Sequence, residues 1–200
     1  TGFPVLSDST LNRGYKNQSI VGDLSYGYKG LDTSLSLWSS KGTTEYLVFG
    51  SPVSQDYKNE AFAVDLKFIT EQDYYILANI NLSEDLINQN NENYLGVLDL
   101  TQTQRQSYEL LVHKEIKNLF SYSFGLESES EDVNYSSYGS AFRKDLNTES
   151  YFGTFEWEKN QSSWIASVRE SDHDLYGNQS SWNLGFLHQL TGPWSLYLNS

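Results

Sequence analysis

Apolar and polar residues alternate along many segments of this chain, and a period of two is typical of β-strands. In the first such segment Ile20, Leu24 and Tyr28 fall on one face, whereas Asp23 and Ser25 fall on the other. Alternating segments recur in pairs, at residues 20–28 and 33–37, 62–68 and 74–82, 108–112 and 120–126, 151–157 and 164–168, and 182–186 and 194–198. The pattern therefore predicts an all-β protein with ten antiparallel strands in five hairpins.

The predicted connections alternate in length. Short turns within the hairpins are expected at residues 29–32, 70–73, 116–118, 159–162 and 191–193. Most connections between hairpins are expected to be long loops rich in Asn, Ser, Gln, Asp and Glu, at residues 39–57, 83–104 and 127–147, with a shorter one at 171–178. Short turns on one rim and long polar loops on the other are typical of outer-membrane β-barrels, whose short turns are periplasmic. A soluble β-sandwich does not separate loop lengths in this way.

Aromatic residues concentrate beside the predicted short turns and fall on the apolar faces of their strands. They are Tyr28, Phe68, Tyr74, Phe120, Trp157, Trp164 and Trp194. In a transmembrane barrel this arrangement predicts an aromatic girdle at one membrane interface. Tyr108, Tyr151 and Trp182, at the far strand ends, would begin the opposite girdle. The alternative is that these rings fill the bottom of a soluble barrel.

The opposite face of each strand is polar, and strand length decides what this means. We expect strands of about eleven residues, near the ~9–11 that cross a bilayer and longer than the usual five or six. The lumen would then be polar, and either wet or filled by a plug. The mean hydropathy of −0.54 does not exclude a transmembrane barrel, because the apolar and polar residues of alternating strands cancel in the average. The sequence contains no run of 18 apolar residues, so it predicts no transmembrane helix.

Charge and chain ends narrow the picture further. A net charge of −13 argues against nucleic acid as a partner. The chain lacks Cys, which excludes disulfides and thiolate metal sites, and lacks Met, so Thr1 is not a translation start. The first strand runs toward a short turn, and the chain would begin and end on the long-loop side. We therefore expect residues 1–200 to form part of one larger outer-membrane barrel domain, although ten strands could also close by themselves.

Three stretches carry a resemblance to a known family. They are residues 14–17 (GYKN), residues 50–57 (GSPVSQDY), and residues 171–178 (SDHDLYGN) followed by Trp182 and Gly185. The chain resembles the barrel of TonB-dependent outer-membrane receptors, and is most similar to the vitamin B12 (cobalamin) receptor type. The resemblance implies a 22-stranded barrel with an N-terminal plug and a TonB box. The plug domain and the C-terminal strands would lie outside these 200 residues.

The resemblance also implies partners and a location. It implies the outer membrane of a Gram-negative bacterium, contact with lipid, TonB acting through the missing plug region, and a monomer with no enzymatic activity and no cofactor. The ligand would be a scarce nutrient such as cobalamin or an iron chelate. The family's calcium-binding loop corresponds to Leu11-Asn12-Arg13-Gly14, which carries no carboxylate, and Asp56 is the one acidic position that still matches. Because calcium takes six to eight oxygens, we expect no metal site here.

Loop residues are the candidate ligand contacts, since loops on a rigid scaffold often carry function. Tyrosine offers amphipathic contact surface at small entropic cost. The candidates are Tyr46, Phe49, Asp56, Tyr94, Tyr135 and Tyr138. The alternative is that these tyrosines simply pack their own loops.

Other polar residues are candidates for catalysis or ion binding. His113, His173 and His188 are far apart in sequence, and only His173, between Asp172 and Asp174, would suit an acid–histidine pair. Glu156 and Glu158 would share the lumen-facing side of one strand. The acidic run at 127–132 predicts a solvated loop. Two further functions therefore remain open beside the receptor: a passive porin-like channel, and an outer-membrane hydrolase built on a closed ten-stranded barrel.

Overall fold

The computed structural model describes residues 14–48, 51–91, 98–116, 119–137, 139–190 and 195–199. They form one antiparallel sheet of ten strands, in which each strand pairs with its neighbours in chain order. The strands are β1 (Tyr15–Tyr28), β2 (Leu31–Val48), β3 (Ser51–Ile69), β4 (Tyr74–Asn91), β5 (Leu98–Ile116), β6 (Phe120–Ser137), β7 (Ser140–Lys159), β8 (Ser162–His173), β9 (Gly177–Gln189) and β10 (Ser195–Asn199). Within these ranges, no helix is long and apolar enough to cross a membrane.

The ten strands and five hairpins are confirmed, but the prediction of strand length was wrong. Strands β6 and β7 contain 18 and 20 residues, against the expected eleven or so. The segments expected as long loops at 39–57, 83–104 and 127–147 mostly belong to strands. These segments are polar on both faces, so alternation disappears from the sequence. Their backbone groups still pair across the hairpins, as in the register Val48↔Ser51 and Ser137↔Ser140.

The first short turn is tighter than expected. Lys29 and Gly30 have φ angles of 45° and 81°, and Tyr28 pairs directly with Leu31 across them. Two central residues with positive φ are typical of the I′ hairpin turn, whose twist matches that of the strands. Leu31 and Asp32, which were expected in the turn, therefore belong to β2.

The two faces of the sheet invert the arrangement of a soluble protein. The apolar face is the more exposed, as Leu24 (65%) and Val168 (58%) illustrate. Val53 is the one buried hydrophobic residue in the described part of the chain. On the polar face, by contrast, Gly125 and Ser150 are buried. We call the apolar face the outer face and the polar face the inner face.

The strands are staggered, and the register shows by how much. One row of paired residues on the outer face starts at Leu31, the first residue of β2, and ends at Trp182, seven residues before the end of β9. Between them it passes through Phe68, Ile76, Val112, Phe124, Gly153 and Val168. A stagger of about one residue (~3.3 Å) per ~4.8 Å strand spacing corresponds to a tilt of about 35°, the value found in barrels.

Candidate functional site

The inner face beyond the apolar band carries a cluster of tyrosine and amide side chains. Tyr46 of β2 donates its phenol hydrogen to Gln89 Oε1 of β4 at 2.7 Å and lies 3.5 Å from Gln55 Oε1 of β3. Val53, which pairs with Tyr46, is 2% exposed. We call Tyr46, Gln55 and Gln89 the amide cluster. Its neutral donors and acceptors suit a polar, uncharged part of a ligand.

A second pair of phenols lies on the same face, toward the first strand. The hydroxyls of Tyr15 and Tyr57 are 3.2 Å apart. Gly42 pairs with Tyr57 across the strands and leaves room for its ring. The hydrogen bond to Tyr15, followed by partial burial, raises the pKa of Tyr57 above its usual 10.0. The Tyr57 phenol therefore stays neutral at physiological pH.

Farther along the inner wall, one arginine joins three strands. Arg169 of β8 binds the Glu127 carboxylate of β6, donates to Ser150 Oγ of β7 at 2.8 Å, and lies over the Phe152 ring at 5.5 Å. Its Nε also donates to Ser171 Oγ at 3.2 Å. Because these three hydrogen bonds form together only when the guanidinium is held in one orientation, Arg169 links the strands in this part of the wall.

The inner wall is strongly acidic overall. Its described strand residues include four cations, Lys67, Arg105, Lys144 and Arg169. They also include twelve carboxylates: Asp23, Asp32, Asp65, Asp85, Asp99, Glu109, Glu115, Glu127, Glu129, Glu131, Glu156 and Glu158. Arg105 pairs with Glu131 and Glu129, and the hydrogen bond to Glu131 raises the pKa of the guanidinium above its usual value. The remaining excess of negative charge repels anionic solutes and attracts cations.

The candidate ligand residues separate into three groups. Tyr46 and Tyr135 lie on the inner face, the latter with its ring 5.2 Å from Phe142. Asp56 lies on the outer face, where it accepts a 2.6 Å hydrogen bond from Thr43, so it does not join Tyr46. Phe49, Tyr94 and Tyr138 lie outside the described residues. The expectation that Tyr46, Asp56 and Tyr135 sit in loops was wrong, because paired strands continue through them.

Gln55, Gln89, Tyr15 and Tyr57 were not predicted as site residues. Residues that form hydrogen bonds in these sites are up to 43 positions apart in the sequence, and only the register of the strands brings them together. The sequence did contain one signal: counted in steps of two along their strands, all four residues continue the polar face of the alternating segments.

The histidines do not converge on a catalytic or metal site. His113 bonds Ser123 on the inner face, His188 bonds Ser162 on the outer face, and His173 accepts a hydrogen bond from the Leu175 amide. Asp174 is engaged by Asn147 instead. Across the described ranges, no group of three His, Cys, Asp or Glu side chains could hold a metal ion. The geometry gives the hydrolase alternative no support.

Six of the seven predicted girdle aromatics lie together on the outer face at the short-turn rim, and Trp194 falls outside the described residues. Phe120, Trp157, Trp164 and Phe186 form one continuous row across four strands. The rings of Trp164 and Phe186 are 4.4 Å apart. Tyr108, Tyr151 and Trp182 are exposed on the same face farther up, as expected of an opposite girdle.

Charged residues mark where the apolar band ends. Above Phe62 and Leu82 the outer face carries Lys58, Glu60 and Glu84, with Lys58 Nζ 2.8 Å from Glu60 and 3.3 Å from Glu84. On β5 the outer face from Tyr108 to Ile116 is apolar except for Lys114, and this stretch is about 27 Å long at ~3.4 Å per residue. Tilted by about 35°, this spans about 22 Å, close to the ~25 Å band of outer-membrane barrels.

Comparison with known proteins supports this fold. Neither a protein-family profile nor a curated protein matches the sequence. Among solved structures, the alcaligin outer-membrane receptor FauA from Bordetella pertussis is similar, with a TM-score of 0.78 and 13% identity over 94% of this chain and 36% of that chain. The translocator domain of the autotransporter NalP from Neisseria meningitidis aligns over 97% of this chain and 83% of that chain at 7% identity, but its TM-score of 0.37 is too low to bear on the fold.

This chain spans about a third of the length of the receptor that it resembles. At 13% identity the likeness concerns the fold and not the ligand. The ten staggered strands, the exposed apolar band and the girdle agree with it. The chain therefore has an all-β, antiparallel fold that is similar to part of the wall of an outer-membrane β-barrel.

Proposed function

We propose that this chain forms part of the barrel wall of a TonB-dependent receptor in the outer membrane of a Gram-negative bacterium. The observation that carries the proposal is the inverted polarity of a tilted sheet. A band of exposed apolar side chains about 22 Å high lies between two aromatic rows, and the inner face is polar. Such a face is stable in lipid and not in water. The rest of the barrel, the plug and the TonB box would lie outside this chain.

The transported ligand is proposed to be a small, scarce nutrient of the cobalamin or iron-chelate kind. The amide cluster and the phenols of Tyr15 and Tyr57 would contact its neutral polar groups from the inner wall. The acidic inner wall favours a neutral or cationic ligand over an anionic one. Transport energy would come through TonB.

The proposal is tested by uptake through the full-length protein in an outer membrane lacking other receptors. Uptake of a labelled nutrient should cease when TonB is deleted and return when it is restored. The competing function is a passive channel, which liposome swelling distinguishes. Free diffusion of small sugars through the purified protein would contradict the plugged receptor and favour the channel.

A further inference from the structure

Lys114 places a cation on the lipid-facing side of the barrel wall. It lies on the outer face of β5 between the apolar residues Val112 and Ile116, and it pairs across the sheet with Tyr74 of β4 and Tyr122 of β6. Its Nζ lies 4.0 Å from the centroid of the Tyr74 ring and donates to the Gln72 carbonyl oxygen at 2.9 Å. The ammonium is thus held in one place.

No carboxylate of the described residues neutralises this cation. Ion pairs in those residues involve Lys58, Arg105, Arg143 and Arg169. Glu115, the next residue, belongs to the inner face. A cation on a lipid-facing surface is unfavourable unless it reaches the interface or meets an opposite charge.

In the proposed membrane placement, Lys114 lies at the depth of the lipid headgroups. It is two residues from the end of β5 at the short-turn rim, level with the girdle row that contains Tyr74. The hydroxyls of Tyr74 and Tyr122 are 3.4 Å apart, so one phenol hydrogen is used between them and the other remains available. One ammonium and one phenol can therefore donate to the same acceptor.

We infer that Lys114, Tyr74 and Tyr122 bind the phosphate of a bilayer phospholipid at the short-turn interface. A phosphate supplies the missing negative charge together with oxygens that only accept hydrogen bonds, and lysine is a common phosphate ligand. Ile76, Val112 and Phe124, one row farther into the band, offer an apolar surface for the acyl chains. The inference rests on the proposed membrane placement, but not on the transported ligand or on TonB.

The neighbouring hairpin of β3 and β4 supplies a matched control. Lys67 of β3 lies over the ring of Tyr75 at 5.4 Å, the same pairing of ammonium and phenol. Both residues face the inner side, because Lys67 pairs with Leu77 and Ile69 pairs with Tyr75. Lys67→Gln removes an equivalent charge at a similar height without touching the lipid-facing surface.

The full-length protein is extracted in detergent and supplied with phosphatidylglycerol. Native mass spectrometry then counts the lipid molecules that each protein retains. Lys114→Gln should retain one fewer phosphatidylglycerol per protein, whereas Lys67→Gln should equal the wild type. Diacylglycerol, which lacks the phosphate, should not be retained, and millimolar inorganic phosphate should not displace the lipid. An unchanged count for Lys114→Gln, an equal loss for Lys67→Gln, or retention of diacylglycerol would each overturn the inference.

Two further arms keep this result interpretable. Lys114→Arg, which preserves the charge, should retain the lipid, so that loss in Lys114→Gln alone cannot be assigned to misfolding. Displacement by inorganic phosphate would identify a site for free anions and refute the lipid site. The transport assay is independent: passive diffusion of sugars would contradict the proposed receptor while leaving the lipid count as expected.

Discussion

The ring of Phe152 covers Gly125 on the inner face of the barrel wall, and a Cβ atom built on Gly125 would lie 2.2 Å from Cζ of Phe152. The two residues pair directly across β6 and β7. Arg169 lies over the same ring from β8. A missing side chain on one strand therefore makes room for an aromatic ring, and that ring supports the arginine that links three strands.

Gly125→Ala should destabilise the barrel, because the added methyl group forces Phe152 off its place. Overpacking of this kind costs about 1–3 kcal/mol. The control is Gly153→Ala, whose added methyl group would have the Ser123 carbonyl oxygen at 3.6 Å as its nearest neighbour. Urea unfolding of the full-length protein in vesicles gives both free energies. Equal effects of the two substitutions would show that the contact with Phe152 is not what matters.

The link between Arg169 and Glu127 is a separate prediction. Arg169 also donates to Ser150 and Ser171, so Arg169→Met removes one donor from polar groups of three strands, while the two serine hydroxyls keep the hydrogen bond between them. Unsatisfied partners of this kind cost about 1–3 kcal/mol each where buried, but Arg169 is 43% exposed, so we expect a total of about 1–2 kcal/mol. A double-mutant cycle with Glu127→Gln measures the coupling. Additive effects would mean that the ion pair contributes nothing.

The sequence predicted the hairpins and the faces well because the two faces of the sheet have opposite polarity, so that apolar and polar residues alternate along each strand. Phe120, Trp157 and Trp164 could be assigned to one row from parity and turn position alone. The extensions of β2 through β7 could not be predicted, since strands with water on both faces lose their alternation. The amide cluster depends on the register of three strands, which no local pattern reveals. Asp56 was placed in a loop because the polar extension of β3 carries no alternation, and its pairing with Thr43 puts its side chain on the outer face.

The orientation of the two faces predicts which tryptophans contact lipid. Trp157 and Trp164 lie on the outer face at the short-turn rim, whereas Trp38 lies on the inner face of β2. In variants of the full-length protein that keep one tryptophan each, brominated phospholipids in the bilayer should quench the fluorescence of Trp157 and Trp164. Trp38 should keep its emission. Quenching of Trp38 alone would show that the faces are reversed.

The acid stability of the band edge should depend on Glu84, which lies on the outer face beyond the apolar band. Hydrogen bonds from Gln104 and Gln102, followed by the contact with Lys58, hold the pKa of Glu84 below its usual 4.5. A lowered folded-state pKa means that the carboxylate stabilises the barrel above pH 4.5, and that this contribution is lost as the pH falls through the folded value.

Glu84→Gln should therefore lower stability near neutral pH and flatten its fall below pH 4.5. Gln104→Leu, which removes the largest cause, should shift the fall of stability toward higher pH. Unfolding in vesicles between about pH 3 and pH 7 measures both effects. If the stability of Glu84→Gln falls with acid as steeply as that of the wild type, the acid sensitivity comes from other carboxylates.

The last prediction concerns the inner wall as a ligand surface and compares two residues from the same pair of strands. Tyr46 bonds Gln89 on the inner face, whereas Asp56 bonds Thr43 on the outer face. If the amide cluster contacts the ligand, Tyr46→Phe should weaken binding by about 5- to 10-fold, the equivalent of one neutral hydrogen bond of ~1 kcal/mol. Asp56→Asn should leave binding unchanged, since its side chain faces away from the lumen. Binding of the labelled nutrient to the full-length protein measures both, and a loss confined to Asp56→Asn would move the ligand site to the outer face.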